Sequence, residues 1–441
     1  MLKSKFKQTA YSEGILEDSS LHRKHNVFVS FISSLFSFEF LFTLFLFAWA
    51  YKANPSLGWV PIDLTELFFI LSVYSGILVF FAEKKRFRRK AAVLVFFALV
   101  FVFYILISLT WTVGIVYAQQ KALYFSTLTL WSLVACAFII ASDKKRLIRF
   151  IRFLLVFAIW IAIESTLEYL KGGHDVINAM NSNYLALGYT LGMGLLISAA
   201  YGFLSENSRL KRTFMFMLAL YFMFLLMVMG GRGPLLSLAI SLFIPLSFGS
   251  NLVEINKSKL KKYAAFITVL FLSIFFISFY LYLKDSLTST LYRLLLFLEP
   301  GMGTSAGTRM DYYLTSEKLW VLKPLLGYGI GSWPILKGLP DMNSYPHNLI
   351  FEILVELGLT GLILFGSIVF VALKGFKRSH NSRNIFLGSV ILMMFVNAFV
   401  GAMLSGDIND NRIIFALLGL MAFEEDGNEK QGMHSDNSTP G

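Results

Sequence analysis

Polar residues able to bind a charged ligand gather in four short segments, each at the start of an apolar run. These segments are 181–183, 230–234, 345–348 and 406–412. The runs predict helices, and free N–H groups with the positive end of the helix dipole favour anions, above all phosphate, at helix N-termini. The alternation of the runs puts all four starts on one external face of a membrane. We therefore predict a site there for a phosphorylated ligand, although capping alone selects the same residue types.

Arg232 and Arg412 are basic residues at the positive ends of predicted helices, an unfavourable place unless an anion binds there. For Arg232, the alternative is that the side chain extends to the external lipid headgroups. For Arg412, the alternative is local pairing with Asp407 or Asp410. Asn183 is a predicted ligand contact in the first segment, with helix capping as the alternative.

His347 is the only histidine expected at a helix start on this face. A helix N-terminus disfavours the imidazolium, so the ring is expected to be neutral and able to accept a proton near pH 7. Asn348 follows, and Glu352 and Glu356 lie four residues apart farther along the same run, where charge is costly and usually functional. The pattern favours a catalytic His347 over a purely structural one.

Three further carboxylates lie inside apolar runs. Glu39 is near the middle of the first run and has no obvious partner in the sequence. Glu164 and Glu168 are near the external end of the fifth run, where they can pair with a site arginine or line a polar cavity.

Residues 284–345 form one long external segment, and loops of this length are usually functional. The segment contains Arg293, and Thr308 is a candidate N-cap for an amphipathic helical pattern that includes Arg309. The glycines at 327, 329 and 331 do not match a dinucleotide-binding fingerprint, because the spacing differs and no strand precedes them. They predict tight turns at the membrane surface.

The elements that position these residues are twelve apolar runs, and a helix of about 20 apolar residues crosses a ~30 Å hydrocarbon layer. Most of the 39 lysine and arginine residues fall in every second loop, and cytoplasmic loops retain positive charge, so both chain ends are expected inside. The last run is the shortest. The runs are 27–50, 64–82, 91–110, 122–142, 147–170, 184–204, 213–230, 234–250, 262–283, 346–372, 384–404 and 411–424.

The pattern predicts an all-α, polytopic inner-membrane protein with about twelve transmembrane helices, one large external loop and a site on the external face. The predicted parts are a basic cytoplasmic tail at 1–26, spans one to nine within 27–283, a loop with short helices at 284–345, spans ten to twelve within 346–424, and a disordered cytoplasmic tail at 425–441.

Composition excludes several other classes of protein. A chain with 56% hydrophobic and 15% charged residues would aggregate as a soluble protein but is ordinary for a membrane bundle. The net charge of +12 does not indicate nucleic-acid binding, because the basic residues form blocks beside apolar runs, where they serve topology and lipid contact. Cys136 is the only cysteine, which excludes an intrachain disulfide and a paired-cysteine metal or redox site.

The order of these motifs resembles the O-antigen ligase and polymerase superfamily, most clearly over residues 180–424. An asparagine-rich helix start and a Gly-Arg-Gly turn come first, followed by the long loop with Thr308-Arg309 and its glycine turns. The most specific element is segment 346–361, in which a His-Asn pair is followed by Glu-Leu-Gly-Leu-x-Gly.

The resemblance implies a GT-C-like membrane glycosyltransferase. Such an enzyme transfers an oligosaccharide from an undecaprenyl-diphosphate carrier to an acceptor on the periplasmic face, with inversion and without a metal, a nucleotide sugar or another cofactor. The family's catalytic residues map by motif onto Arg232, Arg309 and His347. The residues predicted to bind substrate are Asn183, Arg293, Asn348, Glu352, Asp407 and Arg412.

The chemistry of these residues suits that reaction. A diphosphate leaving group needs its growing charge stabilised, and the external face has no clustered Asp-x-Asp motif to hold Mg²⁺. Arg232 and Arg309, with the helix N-termini, can donate paired hydrogen bonds to the diphosphate instead. His347 would take the proton from the attacking sugar hydroxyl, or orient that hydroxyl.

Three functions remain open at this point. Segment 405–412 favours a polymerase that extends a lipid-linked O-antigen or related surface glycan. The alternative is a ligase that moves finished polymer to lipid A-core. A lipid-linked oligosaccharide flippase is a third reading, because twelve spans suit alternating access. The expected partners are the lipid-linked donor, a glycan acceptor, the bilayer and, for a polymerase, a chain-length regulator protein.

Overall fold

The computed structural model describes residues 37–82, 88–172, 176–204, 208–248, 257–283, 288–295, 304–379 and 385–424. Over these ranges the ordered elements are helices and no β-strand is formed, which confirms the predicted all-α class. The two predicted tails, 1–26 and 425–441, lie outside the described residues, as does the beginning of the first predicted span.

The helices follow one another along the described chain with short connections, except around the long external segment. In order they are α1 (Phe38–Leu46), α2 (Leu64–Ala82), α3 (Arg89–Ser108), α4 (Val116–Ile140), α5 (Lys144–Lys171), α6 (Tyr184–Phe203), α7 (Arg209–Val228), α8 (Arg232–Phe248), α9 (Lys257–Leu283), α10 (Ser289–Leu295), α11 (Thr304–Leu322), α12 (Trp333–Leu336), α13 (Leu349–Ser379), α14 (Ile385–Ala402) and α15 (Arg412–Leu420).

Each of the twelve predicted spans contains a helix, but not all are of full length. Seven of the described helices are long and apolar enough to cross a membrane, namely α2, α3, α4, α6, α7, α9 and α13. Two others, α8 and α14, are shorter apolar helices. The remaining three predicted spans correspond to α1, α5 and α15, and both α1 and α15 have only 9 residues. A polytopic membrane protein is therefore confirmed.

Helix α6 lies at the centre of the bundle and is buried along most of its length between α5, α7, α8 and α14. Small residues on α6 allow these neighbours to approach closely, as is usual where helices pack within a membrane. A Cβ atom on Gly194 would lie 2.7 Å from Ala158 of α5 and 2.8 Å from Phe222 of α7. On another side, a Cβ atom on Gly188 would lie 2.8 Å from Pro234 of α8.

The loops predicted to be cytoplasmic meet at one end of the bundle. Arg88 donates hydrogen bonds to the backbone carbonyls of Ser142, at 2.9 Å, and Glu424, at 2.7 Å. Lys90 forms an ion pair with the Glu424 carboxylate. These contacts join the starts of α3 and α5 to the segment after α15, as the predicted alternation of the spans requires.

Glu39 has partners that the sequence reading did not find. Its carboxylate pairs with Arg146 at 2.7 Å and with Arg149 at 3.4 Å. Glu39 is the second residue of α1 and lies near the basic start of α5, so it joins these two helices at the end predicted to be cytoplasmic.

Glu164 and Glu168 have partners close by in the sequence. Glu164 accepts a hydrogen bond from Trp160, and Glu168 pairs with Lys171.

The loops predicted to be external meet at the opposite end. The Asp341 carboxylate, in the long segment, accepts hydrogen bonds from the free N–H groups of residues 115–117 at the start of α4, at 2.8–3.1 Å. These bonds hold the pKa of Asp341 below its usual value. The Tyr117 hydroxyl also bonds to Asp407, in the loop before α15, at 2.7 Å. Three separate external segments are thus tied together.

A break in α13 receives the glycine turns of the long segment. Gly358 has φ 66° and ψ −167°, so the backbone groups on either side of it leave the helical pattern. The 324–329 stretch replaces the lost bonds: Tyr328 and Gly329 donate to the carbonyls of Val355 and Glu356, at 2.9 and 2.7 Å. In return, Leu359 and Thr360 donate to the carbonyls of Pro324 and Leu325, at 2.8 and 3.1 Å. A broken helix is tolerated inside a membrane only when such partners exist.

The fit at this break predicts that Gly358→Ala is damaging. A Cβ atom on residue 358 would overlap the Leu325 carbonyl and lie 2.7 Å from the Gly327 nitrogen, in a left-handed conformation that costs an alanine about 1–2 kcal/mol. We expect a loss of at least about 2 kcal/mol of stability and release of the 324–331 turns. Thermal unfolding and proteolysis of the purified protein measure both effects.

Gly366→Ala on the same helix is the matched control, because a Cβ atom there meets nothing within 4 Å. The control should be neutral or slightly stabilising. Equal stability of the two variants would contradict the role assigned to the break.

Candidate functional site

Arg232 and Arg293 form one corner of the external face. Arg232 is the first residue of α8, and its Nη1 donates to the backbone carbonyl of Arg293 at 2.9 Å. The Nη1 of Arg293 donates to the Gly230 carbonyl and to the Tyr184 hydroxyl, each at 3.1 Å. Thr290 completes the corner by accepting from the Gly230 N–H at 2.9 Å. The short helix α10 thereby fixes the Gly-Arg-Gly turn against the start of α6.

Arg309 lies near both this corner and His347. Its charge is close enough to Arg232 to repel that guanidinium, and close enough to His347 to disfavour a proton on the imidazole. Among the described residues, none accepts a hydrogen bond from the Arg309 side chain or forms an ion pair with it. Arg309 belongs to α11, which begins at Thr304, so Thr308 lies inside the helix and the prediction that it caps the helix is wrong.

His347 is held in an unusual backbone conformation, with φ 59°, just before α13. Tyr312 stacks parallel to its ring with centroids 6.1 Å apart, and Tyr345 packs edge-on at 4.7 Å. Burial, with the charge of Arg309 as a second cause, lowers the pKa of His347 to about 4. The neutral ring predicted from the sequence is therefore present, with burial as its largest cause. The Nδ1 atom is buried and has no hydrogen-bond partner among the described residues.

Asn348 caps α13 through its side-chain oxygen, which accepts from the N–H groups of residues 350 and 351 at 3.0 and 3.1 Å. The helix thus begins at Leu349, directly after this cap. Asn348 is occupied by capping and its amide also reaches the Met403 carbonyl at 3.4 Å.

Asn183 caps α6, accepting from the Leu185 N–H at 2.9 Å, and is exposed to a cavity of about 300 Å³. Tyr189 and Tyr345 line the same cavity. The Tyr189 hydroxyl lies near Gly233, which follows Arg232, and is within electrostatic range of Arg309. Tyr345 packs against the ring of His347. This first cavity therefore adjoins both the arginines and the histidine. Its remaining lining comes mainly from 181–193 and 398–414.

Glu352 is not open to a ligand in the way that the sequence suggested. It is 1% exposed, as is Glu356, and both carboxylates pair with Lys121, which is fully buried on α4. The distances from Lys121 Nζ to the two Glu356 oxygens are 2.9 and 2.8 Å. Glu352 also accepts from the Ile408 N–H at 3.2 Å. These side chains join α4, α13 and the 403–411 loop.

Asp407 and Arg412 line a second cavity, of about 420 Å³. Asp407 is buried and accepts from the Tyr117 hydroxyl and, at 2.7 Å, from the Asp410 N–H. Arg412 lies 5.3 Å from the ring of Phe45 and has no ion pair closer than 4 Å with a described residue. The predicted local pairing with Asp407 or Asp410 is therefore not formed as a direct contact.

The structure brings Arg232, Arg293, Arg309 and His347 into one region, with Asn183 and Asn348 at its border. Sequence reasoning missed Lys121, whose signal is a lysine beside an apolar run, and the tyrosines around His347, which carry no spacing signal of their own. Within the described ranges, no group of three or more histidine, cysteine or carboxylate side chains is arranged to hold a metal ion.

Comparison with known proteins confirms the resemblance to the O-antigen ligase and polymerase superfamily. Residues 195–366 match the model of the O-antigen ligase family. A protein of Rickettsia conorii that carries the provisional name polysaccharide ligase is 32% identical over 109 residues, covering 22% of this chain and 26% of that relative. The match thus spans about a quarter of the length of the relative.

The buried ion cluster predicts that Lys121→Met is strongly destabilising. The substitution leaves two carboxylates buried without a cation, and breaking a buried pair costs about 3–5 kcal/mol. Denaturation of the purified variant measures the loss. Lys121→Met combined with Glu356→Gln should recover part of it, because one of the two orphaned charges is then removed. A single variant as stable as the wild type would show that the cluster does not hold α4 and α13 together.

Proposed function

We propose that this protein transfers an oligosaccharide from an undecaprenyl-diphosphate carrier to a glycan acceptor, since it resembles the O-antigen ligase and polymerase superfamily and residues 195–366 match the O-antigen ligase family. The proposed location is the inner membrane, with the site facing the periplasm. One observation carries the proposal: Arg309 has no partner of its own among the described residues and lies within electrostatic range of both Arg232 and a neutral His347. Like charges held close together repel one another, and a bound anion offsets that repulsion.

A groove beside Arg232 supports a lipid-linked anion as the ligand. This groove has a volume of about 240 Å³ and lies between α7, α8 and α9. Among the described residues that line it, Arg232 is the one that carries a charge, and the other side chains are apolar: Met223, Leu235, Leu236, Leu238, Ala239, Leu242, Phe271 and Ile274. An apolar groove that ends at an arginine suits a molecule with a long hydrocarbon tail and an anionic head.

The proposed reaction is a single displacement. An oxygen of the acceptor hydroxyl attacks the anomeric carbon of the donor sugar, and the bond between that carbon and the diphosphate breaks. The diphosphate leaves with the electron pair, and its growing charge is stabilised by Arg309 and Arg232. The hydroxyl proton passes to a neutral nitrogen of His347 as the new bond forms. Attack on the face opposite the leaving group inverts the anomeric centre.

Donor binding also activates the base in this scheme. Arg309 is one of the two causes that lower the pKa of His347, the other being burial. A diphosphate bound to Arg309 would offset that repulsion and raise the pKa of the imidazole. His347 therefore becomes a stronger base only when a donor is present, which limits unproductive proton transfer.

The pKa of His347 predicts a particular pH dependence. The imidazole is the active neutral form above its pKa, so kcat/KM, which reports the free enzyme, should fall only as the pH drops toward about 4. The acid limb of kcat should lie at higher pH, because the bound diphosphate favours the imidazolium. Steady-state transfer measured from pH 3.5 to about 8, with folding followed by fluorescence, gives both limbs. If kcat and kcat/KM both fell at one common pH of about 6.5, that result would contradict the proposed link between donor binding and the pKa of His347.

Removing Arg309 should abolish transfer without preventing folding. Loss of one donor to a developing anion typically lowers kcat by about 10²–10³, and we expect Arg309→Ala and Arg232→Ala to fall at least that far. Arg309→Lys keeps the charge but loses the paired geometry, so a partial loss is expected. Product formed from purified lipid-linked donor is the measurement, with membrane insertion as the folding check.

Lys318→Ala is the matched control for Arg309, because Lys318 is an exposed basic residue on the same helix. The control should transfer at the wild-type rate. Normal product from both arginine variants would refute the proposed site.

Ligase and polymerase activities share this chemistry and differ in the acceptor. The sequence favoured a polymerase on segment 405–412, whereas the names of the matching family and of the Rickettsia relative favour a ligase. In the structure, segment 405–412 contributes lining residues to both cavities. This placement is compatible with either acceptor. We therefore propose the shared transfer reaction first, with the ligase reaction supported by the comparisons and the polymerase reaction supported by the sequence motif.

Deletion of the gene in its own host separates the two reactions. Loss of a ligase is expected to leave bare lipid A-core, while carrier-linked glycan accumulates. Loss of a polymerase is expected to leave core carrying a single repeat unit. Gel analysis of lipopolysaccharide gives the pattern directly, and an unchanged ladder would exclude both products.

A further inference from the structure

We propose that the second cavity, lined by Tyr117, Asp407, Asp410 and Arg412 among others, binds uncharged sugar residues of the glycan at a distance from the reacting bond. This inference rests on the proposed transfer function and adds a subsite to it. Trp49 and Asp410 line both cavities, so the second is a direct neighbour of the first, which adjoins His347 and the arginines. The second cavity is therefore close enough to the reaction centre for more distant sugars of the same glycan to reach it.

The second cavity lies at the end of the bundle where the external segments meet. Tyr117 and Asp407, which line it, join two of those segments through their 2.7 Å hydrogen bond. Lys52 and Asp63, also in its lining, form an exposed ion pair at 2.9 Å. Arg412, the first residue of α15, lies at the inner side of this group of polar residues. Polar side chains gathered in this way in a membrane protein usually line a path for a polar substrate.

Charge balance separates this cavity from the proposed diphosphate site. Its lining has three basic side chains, Lys52, Lys121 and Arg412, and four acidic ones, Asp63, Glu66, Asp407 and Asp410. Such a lining does not attract a polyanion. Mixed donors and acceptors instead match hydroxyl groups, each of which donates one hydrogen bond and accepts others. The rings of Trp49, Tyr117 and Tyr124 add apolar faces against which a sugar ring can stack.

Two residues that line the second cavity have buried polar atoms without a partner in the described part of the chain. Nε and Nη1 of Arg412 and Oδ1 of Asn409 are buried and have no hydrogen-bond partner among the described residues. Both residues line the second cavity. Buried polar groups in folded proteins nearly always have partners, and the hydroxyl groups of a bound sugar would supply the acceptor and donor that these atoms lack among the described residues. The volume, about 420 Å³, lies within the range of about 300–1,000 Å³ found for small-molecule sites.

Direct binding tests the subsite independently of catalysis. The probe is the one-repeat-unit oligosaccharide released by mild acid from the lipid-linked glycan of the source cells, titrated calorimetrically into the full-length protein in lipid nanodiscs. We expect Arg412→Met, which keeps the volume but removes the donors, to weaken binding by about tenfold. Gln120→Ala, at an exposed position in the same cavity, should weaken oligosaccharide binding by about threefold. This second variant tests the subsite if Arg412→Met does not fold.

Lys374→Met, near the opposite end of α13, is the control and should bind like the wild type. Unchanged affinity in both cavity variants would overturn the subsite. Displacement of the oligosaccharide by inorganic diphosphate, lost in Arg412→Met, would overturn it too, because the cavity would then be an anion site. Binding that the cavity variants weaken, in a wild-type protein that transfers nothing, would support the subsite while refuting the proposed reaction.

Transfer kinetics identify which glycan occupies the subsite. If the acceptor occupies it, Arg412→Met raises KM for the acceptor and leaves KM for the lipid-linked donor unchanged. If the donor glycan occupies it, the change falls on KM for the donor. A fall in kcat with both KM values unchanged would mean that Arg412 acts at the reacting atoms, which contradicts a distal subsite.

Discussion

Lys121 lies between two glutamates inside a membrane bundle, and the external half of the structure depends on this contact. An ammonium and carboxylates can be buried in an apolar layer only when they satisfy one another. The three side chains join α4 to α13, and Glu352 extends the connection to the 403–411 loop. These contacts therefore fix the position of α13, which follows His347, relative to the 403–411 loop, which lines both cavities.

The break at Gly358 adds a second constraint on the same helix. The first part of α13 carries both glutamates, and the glycine turns of the long segment pair with the freed backbone groups at the break. Only glycine provides both the left-handed backbone and the absence of a Cβ atom that this contact requires. The long external segment is thus anchored to α13, which is how α11 can hold Arg309 near His347.

The candidate site contains three different electrostatic environments close together. Arg232, Arg293 and Arg309 concentrate positive charge beside an apolar groove. His347 next to them is kept neutral by burial and by Arg309. The second cavity balances acids and bases. Such a sequence of environments matches the parts of a lipid-linked glycan in order: hydrocarbon tail, diphosphate, reacting sugar and remaining sugars.

Much of the arrangement followed from local sequence. Apolar runs and basic blocks determined the helices and their alternation, because a membrane imposes length and charge rules on each segment separately. The neutral His347 was also predictable, although its main cause is burial and not the helix terminus. The cap at Asn183 and the turns at 327–331 follow equally from local residue types.

Contacts between distant segments could not be read in the same way. Glu39 and Arg146 are 107 positions apart, and Lys121 and Glu356 are 235 apart, so no spacing rule connects them. The sequence indicated that Glu352 and Glu356 were costly within a span, but only packing decided that Lys121 would neutralise them. The same holds for the two cavities, whose walls come from segments far apart in the chain. Neighbouring residues determine helices, caps and turns, whereas the pairing of buried charges and the shape of a cavity arise only when separate helices meet.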